Sequence, residues 1–302
     1  MARALRLGLA GAGRWGRNYI RTIAELPELR LARVASGNAE TADLVPPGCA
    51  IVDHWQKLLE PAAIDGLIIS TPPASHAEIA QAAIGTGIPV LVEKPLALAA
   101  ADARAVRDLA LQKRVPVLVE HTHLFSPAFR ALKNLVGRHG GAREIRSEAG
   151  NHGPYRRDVS VLWDWGPHDV AMCLDLMQQA PVSAACNVME SSPRDGGMAE
   201  TVTVVLSFPS GVAAEIRLSN AKDRTRRFLV RCADGATVGY DDAAGQKLSL
   251  DSRPVPVASD LALTVAVREF AAAIHASSAD RSSVDLGVSV VEVLEACCPA
   301  NA

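Results

Sequence analysis

Aromatic side chains are scarce: Phe, Trp and Tyr make up 4% of the chain. That is too few for the stacking platforms that hold single-stranded nucleic acid. Excess charge is missing as well. A net charge of −2 supplies no basic surface for nucleic acid or an anionic membrane, so an anionic ligand has to be held by local chemistry. No apolar run reaches the ~18–20 residues that cross a bilayer. The N-terminus faintly imitates a signal peptide, but its apolar core over 5–10 is shorter than the ~7–15 residues of an export segment; it reads as a buried strand. The six cysteines (Cys49, Cys173, Cys186, Cys232, Cys297 and Cys298) show no CxxC and no disulfide density, which suits a reducing cytoplasm. Cys297 and Cys298 read as small buried hydrophobes on a helix. What remains is a cytoplasmic globular protein with a small-molecule partner, and neither a nucleic-acid nor a membrane binder.

With 302 residues, 49% hydrophobic and 21% charged, the chain suits two domains. The first ~120 residues alternate short apolar runs (5–10, 31–35, 66–70, 89–92, 115–119) with helical stretches (15–25, 75–85, 99–112). Near-continuous apolar strands between helices predict a parallel sheet covered on both faces, with a ligand crevice along its carboxyl edge. After residue 122 the pattern changes. A helix over 127–136, a glycine-rich break, a loop over 151–157 and a helix from Pro167 to about 179 precede strands at 200–208, 212–218, 228–232 and 237–240. Their turn residues predict hairpins, and helices over 261–275 and 288–296 close the chain. The predicted fold class is α/β. A Rossmann doubly wound parallel sheet occupies residues 1–122, and an α+β domain with an open, mostly antiparallel sheet occupies 123–302.

Gly11-Ala12-Gly13-Arg14-Trp15-Gly16 follows a strand and opens a helix. There the first glycine permits a tight turn, the second lets a pyrophosphate approach the backbone, and the third lets helix pack on strand. About 20 residues further on, where an acid would bind the ribose diol of NAD, stand Ser36, Gly37 and Asn38, with no carboxylate until Glu40. That small polar loop leaves room for a 2′-phosphate, and Arg14 is a candidate bidentate partner for it. The reading leans to NADP, with NAD open. Thr71-Pro72-Pro73 and His76 are expected along the cofactor; the competing reading makes Ser75 a helix cap and His76 a surface residue. Glu93-Lys94-Pro95 ends a buried strand, which aims Lys94 into the crevice, where desolvation suits it to proton transfer.

In Asp164-Trp165-Gly166-Pro167-His168-Asp169, a helix starting at Pro167 lets Asp164 and His168 face one cleft, a usual general acid/base pairing. The alternative is a capping Asp164 over a packed His168. His121, His123 and His152 raise the question of a metal, but no Cys or carboxylate completes a ligand set and no metal is expected. His121, Tyr155 and Arg157 are candidate substrate contacts.

Taken together, the glycine turn, Thr71-Pro72-Pro73, Glu93-Lys94-Pro95 and the Asp164/His168 pair resemble the Gfo/Idh/MocA oxidoreductase family, typified by glucose–fructose oxidoreductase and inositol dehydrogenase. The resemblance covers nearly the whole chain. It implies hydride transfer between a nicotinamide and a hydroxyl or carbonyl carbon of a sugar, cyclitol or nucleotide sugar. It also implies Lys94 as proton-donating hydrogen-bond partner, Asp164 as substrate-orienting carboxylate, His168 as general acid/base, and a homo-oligomer through the C-terminal sheet. The stretch from Ser36 to Glu40 is similar to that of the NADP-binding glucose–fructose oxidoreductase, although Thr41 stands where that enzyme has a lysine. Two other readings share the fold: a non-catalytic dinucleotide-binding sensor, and a reductase of a non-sugar carbonyl.

Overall fold

The structure is a computed structural model that describes residues 3–276 and 280–298. In chain order the elements are β1 Leu5–Ala10, α1 Gly16–Ala24, β2 Leu29–Ala35, α2 Thr41–Leu44, β3 Ala50–Val52, β4 Gly66–Ile69, α3 His76–Gly85, β5 Val90–Glu93, α4 Ala100–Lys113 and β6 Val117–Glu120. There follow α5 Pro127–Arg138, β7 Ala142–His152, α6 Val161–Met177, β8 Ser183–Arg194, β9 Gly197–Ser207, β10 Ala213–Ser219 and β11 Ala221–Cys232. Last come β12 Thr237–Asp241, β13 Leu248–Leu250, β14 Arg253–Pro254, α7 Ala262–Ala276 and α8 Ser282–Ala296. Two compact units form, one from residues up to His121 plus Leu263–Val291, the other from Thr122–Ala262 plus the residues after Val291.

In the first unit six parallel strands run in the order β3-β2-β1-β4-β5-β6, the doubly wound arrangement. β4 and β5 are buried at every residue, which is why they read as unbroken apolar runs. The order reverses between β1 and β4, so a crevice opens where the chains leave those strands. On one face α1 sets Tyr19, Ile20 and Ile23 against β1 and β2, and Val267, Phe270 and Ala271 of α7 join the same cluster. Gly66 of β4 admits α7 closely: a Cβ there would sit 2.7 Å from Ile274 and 2.9 Å from Phe270. The helix over 261–275, expected in the second domain, thus completes the first unit, because its apolar face fills ground that 1–122 leaves uncovered. α8 does likewise, with a Cβ on Gly287 meeting Val119 at 2.7 Å.

The second unit is an eight-stranded sheet in the order β14-β13-β12-β11-β7-β10-β9-β8, antiparallel except for the β7–β10 pair. Two expectations are corrected here. β7 starts directly after the glycine break and runs into the expected loop, taking in Asn151 and His152, so the loop begins at Gly153. α6 starts at Val161, and Pro167 lies inside it. Val161 and Leu162 are buried, and Glu200 accepts the Val161 N–H at 3.1 Å; burial and this acceptor set the helix start upstream of the proline.

Candidate functional site

The carboxyl edge of the first unit holds a groove of about 350 Å³, lined among others by Gly11, Gly13, Ser36, Asn38, Asp53 and Thr71. Each glycine of the opening turn has its own reason to be there. Gly11 has φ +93°, and a Cβ on it would lie 2.6 Å from the Ser70 carbonyl oxygen. A Cβ on Gly16 would strike the Gly11 carbonyl oxygen at 2.1 Å, so this residue sets how closely α1 meets β1. Around Gly13 nothing lies within 4 Å; its side is open to the groove. No side chain caps α1; its Arg17 and Asn18 amides already donate to the Gly13 and Trp15 carbonyls, so an anion here would be met by amides of the turn before them. These features fit a dinucleotide pyrophosphate.

Beyond β2, Ser36 Oγ accepts from the Asn38 amide at 3.1 Å and from Thr41 Oγ1 at 2.8 Å, which holds the 36–41 loop in shape. Glu40 is tied by Arg17 at 2.6 Å, and Arg14 and Gly37 are exposed. Asp53, His54 and Trp55 also line the groove. Sequence reasoning missed them, since β3 has three residues and none is buried.

The Glu93-Lys94-Pro95 segment is built as predicted at the end of β5, but Glu93 points into protein. Glu93 is 7% exposed, and its carboxylate accepts from Tyr19 Oη at 2.7 Å. Burial pushes its pKa up to about 7, against the Tyr19 bond and the Lys94 charge. His76 is corrected too. It is 1% exposed, and its ring nitrogens meet the carbonyl oxygens of Pro95 and Thr71, each at 2.8 Å. It fastens the Thr71-Pro72-Pro73 turn to the lysine segment and presents nothing to a ligand. Neither is it the surface residue of the competing reading. Ser75, the expected cap, spends its hydroxyl on Thr71 and Pro72.

Lys94 is half-buried, and Pro95 is buried behind it. At the end of β6, His121 is 2% exposed, and neither ring nitrogen has a hydrogen-bond partner. Burial, then the Lys94 charge, lowers its pKa to about 3, so it is a neutral imidazole. The segment after it is a helical turn over Thr122–Phe125, so His121 and His123 do not lie along one extended strand. Among the described residues no group of three or more His, Cys, Asp or Glu could hold a metal.

In the second unit α6 carries Asp164 in its first turn and His168 one turn later, a spacing that places both on one side. Arg156 donates to Asp164 at 3.1 Å and also pairs with Asp158. Of the Tyr155–Arg157 stretch it is therefore the middle residue that reaches the site carboxylate, while Arg157 is exposed. Asp169 anchors the helix from its other side. It is 1% exposed, accepts from Ser147 Oγ at 2.5 Å, and pairs with Arg226 at 3.2 Å. The Arg226 guanidinium lies 4.7 Å over the Trp165 ring.

Residues 5–121 match the model of the oxidoreductase family with NAD-binding Rossmann fold, and residues 129–238 match that of the GFO/IDH/MocA C-terminal domain. The chain belongs to the Gfo/Idh/MocA oxidoreductase family. A crystal structure from Magnetospirillum magnetotacticum MS-1 that carries only the general name oxidoreductase is 46% identical. It superposes with a TM-score of 0.93 over 98% of this chain and 100% of that one. Inositol 2-dehydrogenase of Rhizobium meliloti (strain 1021) is 26% identical over 270 residues, 84% of this chain and 78% of the relative. The 4-carboxy-2-hydroxymuconate-6-semialdehyde dehydrogenase of Sphingobium sp. (strain NBRC 103272 / SYK-6) is 27% identical over 303 residues, 93% of each chain. The family expected from the motifs is thus the family found, with its nucleotide-binding and C-terminal domains in order.

Proposed function

We propose that this family member is an NAD(P)-dependent dehydrogenase or reductase acting on a secondary alcohol or ketone of a sugar, cyclitol or nucleotide sugar. The observation that carries the reading is the presence of Lys94 at the carboxyl end of β5, on the same edge of the parallel sheet as the glycine cradle, together with Asp164 and His168 one turn apart on α6. A sensor needs a cradle but not three proton-handling side chains. A nicotinamide dinucleotide would be held by Gly11, Gly13, Ser36 and Thr71 in the groove, and it supplies or accepts the hydride. His168 takes the hydroxyl proton in oxidation and returns it in reduction. Lys94 donates a hydrogen bond to the reacting oxygen and stabilises its developing charge. Asp164, steadied by Arg156, orients the substrate hydroxyls, and His121 offers one of its neutral ring nitrogens to the same ligand.

Lys94→Ala should keep dinucleotide affinity and lower kcat by roughly 10²–10³-fold, in the range of a lost acid/base or oxyanion donor. Loss of dinucleotide binding with turnover intact would refute the role. NADP is the preferred cofactor on the strength of the Ser36-Gly37-Asn38 loop. Calorimetric titration decides this, and tighter NAD binding overturns it. The relative named a semialdehyde dehydrogenase favours a second reading, reduction or oxidation of a non-sugar carbonyl. A panel of sugars, cyclitols, nucleotide sugars and aromatic carbonyls, followed by nicotinamide absorbance with both cofactors, separates the two.

The open face of the second-unit sheet carries Arg217, Glu148, Arg227 and Asp241 side by side on neighbouring strands, with Val205 and Leu229 exposed among them. This alternation can pair with itself, so a second copy of the chain is the proposed occupant. Light scattering reads the outcome, and a monomer at tens of micromolar refutes it.

A further inference from the structure

His168 has a histidine neighbour that the family motif does not include. The ring of His123 lies 5.2 Å from the His168 ring, centroid to centroid, with the planes 73° apart. His123 is 5% exposed, and its Nδ1 sits 2.8 Å from Tyr240 Oη on β12. Tyr240 is 2% exposed. Burial first, then Asp242, pushes its phenol pKa far up, so the hydroxyl keeps its proton. Ser126 and Asp242 flank that hydroxyl, and Asp242 is held by Lys247 at 2.7 Å.

Proton accounting then fixes a direction. A carboxylate only accepts, so the nearby Asp242 charge draws the Tyr240 O–H towards itself and leaves the phenol oxygen to receive the His123 Nδ1–H. A neutral His123 protonated at Nδ1 keeps its lone pair on Nε2, at the opposite edge of the ring. The charged groups nearest His168 on its own helix are each engaged by an arginine: Asp164 by Arg156 and Asp169 by Arg226. The turn over Thr122–Phe125 contributes His123, β12 contributes Tyr240 and β11 contributes Arg226.

We infer that His123 is a positioning residue for His168. Oriented by Tyr240 and Asp242, it fixes the ring angle and tautomer of His168 and, as a neutral acceptor, stabilises the imidazolium formed when His168 takes a proton. The inference rests on the reading of His168 as the general acid/base.

The test uses the full chain with ¹⁵N-labelled histidine, first without substrate. In His123→Phe, the His168 ring resonances should titrate at lower pH than in the parent, and their tautomer balance should change. His123→Gln, which restores a polar group at the Nε2 end, should bring the titration part-way back. Tyr240→Phe should move it in the same direction by less. Once a substrate is in hand, kcat of His123→Phe should fall about tenfold or more at near-constant KM, with the acid limb of the pH profile displaced in step. Unchanged His168 titration in folded His123→Phe and His123→Gln overturns the inference, whatever the activity. Displaced titration alongside a His168→Asn variant that turns over normally keeps the coupling and overturns only the catalytic reading of His168.

Discussion

Gly11 and Gly13 stand two residues apart, and substitution should separate them cleanly. Alanine at Gly11 meets both a left-handed φ of +93° and a carbonyl oxygen 2.6 Å away. Strain of this kind costs about 1–3 kcal/mol before any clash, so Gly11→Ala should lower Tm by several degrees. Alanine at Gly13 meets nothing within 4 Å. Gly13→Ala should therefore leave Tm unchanged and weaken dinucleotide binding at least tenfold, because its methyl occupies the space the pyrophosphate needs. Thermal melts and calorimetry on the two variants suffice, and full affinity in Gly13→Ala would remove the cradle argument.

Glu93 makes a second prediction at this scale. Its pKa rises from an ordinary 4.5 to about 7, so between those values the folded chain holds a proton that the unfolded chain has released. Stability must then fall as pH rises through about 4.5 to 7. Glu93→Gln keeps an acceptor for Tyr19 and should remove that part of the slope in urea melts at pH 5 and pH 7.5. An unaltered slope would mean the carboxylate is ionised throughout. The sequence displayed Glu93 as part of a motif but not this role, because Tyr19 is 74 residues away from it. His76 with Pro95 and His123 with Tyr240, 117 apart, were hidden for the same reason.

At the scale of elements, legibility followed burial on both faces. β1, β2, β4, β5 and β6 were visible as apolar runs because helices cover them on either side; β3, with no buried residue, was not. β7 was not, because one face is open to solvent and Arg143, Glu144, Arg146 and Glu148 gave it a polar look; β8, mostly exposed, escaped for the same reason. α6 shows the opposite error, a strong local signal outvoted by tertiary contacts. Pro167 marks many helix starts, yet the buried Val161 and Leu162 carry the helix a turn and a half further back. What fixes α6 on the sheet is the Asp169–Arg226 pair with Ser147. Asp169→Ala strands the Arg226 guanidinium, whose side chain is 16% exposed, and should cost about 3–5 kcal/mol, the usual penalty for half of a buried pair. Urea unfolding measures it. A loss below about 1 kcal/mol would show that packing alone seats the helix.

For the whole molecule, composition and motif order were enough to foresee two domains of different architecture, but not that the chain leaves the first unit at His121 and re-enters it at Leu263. No local feature marks the return. The helix over 261–275 is apolar enough for either unit, and only the fit of Phe270 and Ile274 against Gly66 decides between them. That assignment has a consequence far away in sequence. Phe270 is fully buried in a cluster with Leu7, Leu9 and Ile68, so Phe270→Ala should remove about 3–5 kcal/mol of stability. The loss should be felt in the unit to which Phe270 belongs. Hydrogen exchange should therefore quicken at the amides of β1 and β4, whose nearest residues in sequence lie some two hundred positions earlier. It should leave the amides of β9 and β10 near their parent rates, although these strands lie much closer to Phe270 along the chain. Faster exchange in β9 and β10 with β1 and β4 unchanged would place α7 in the other unit and restore the simple division at residue 122.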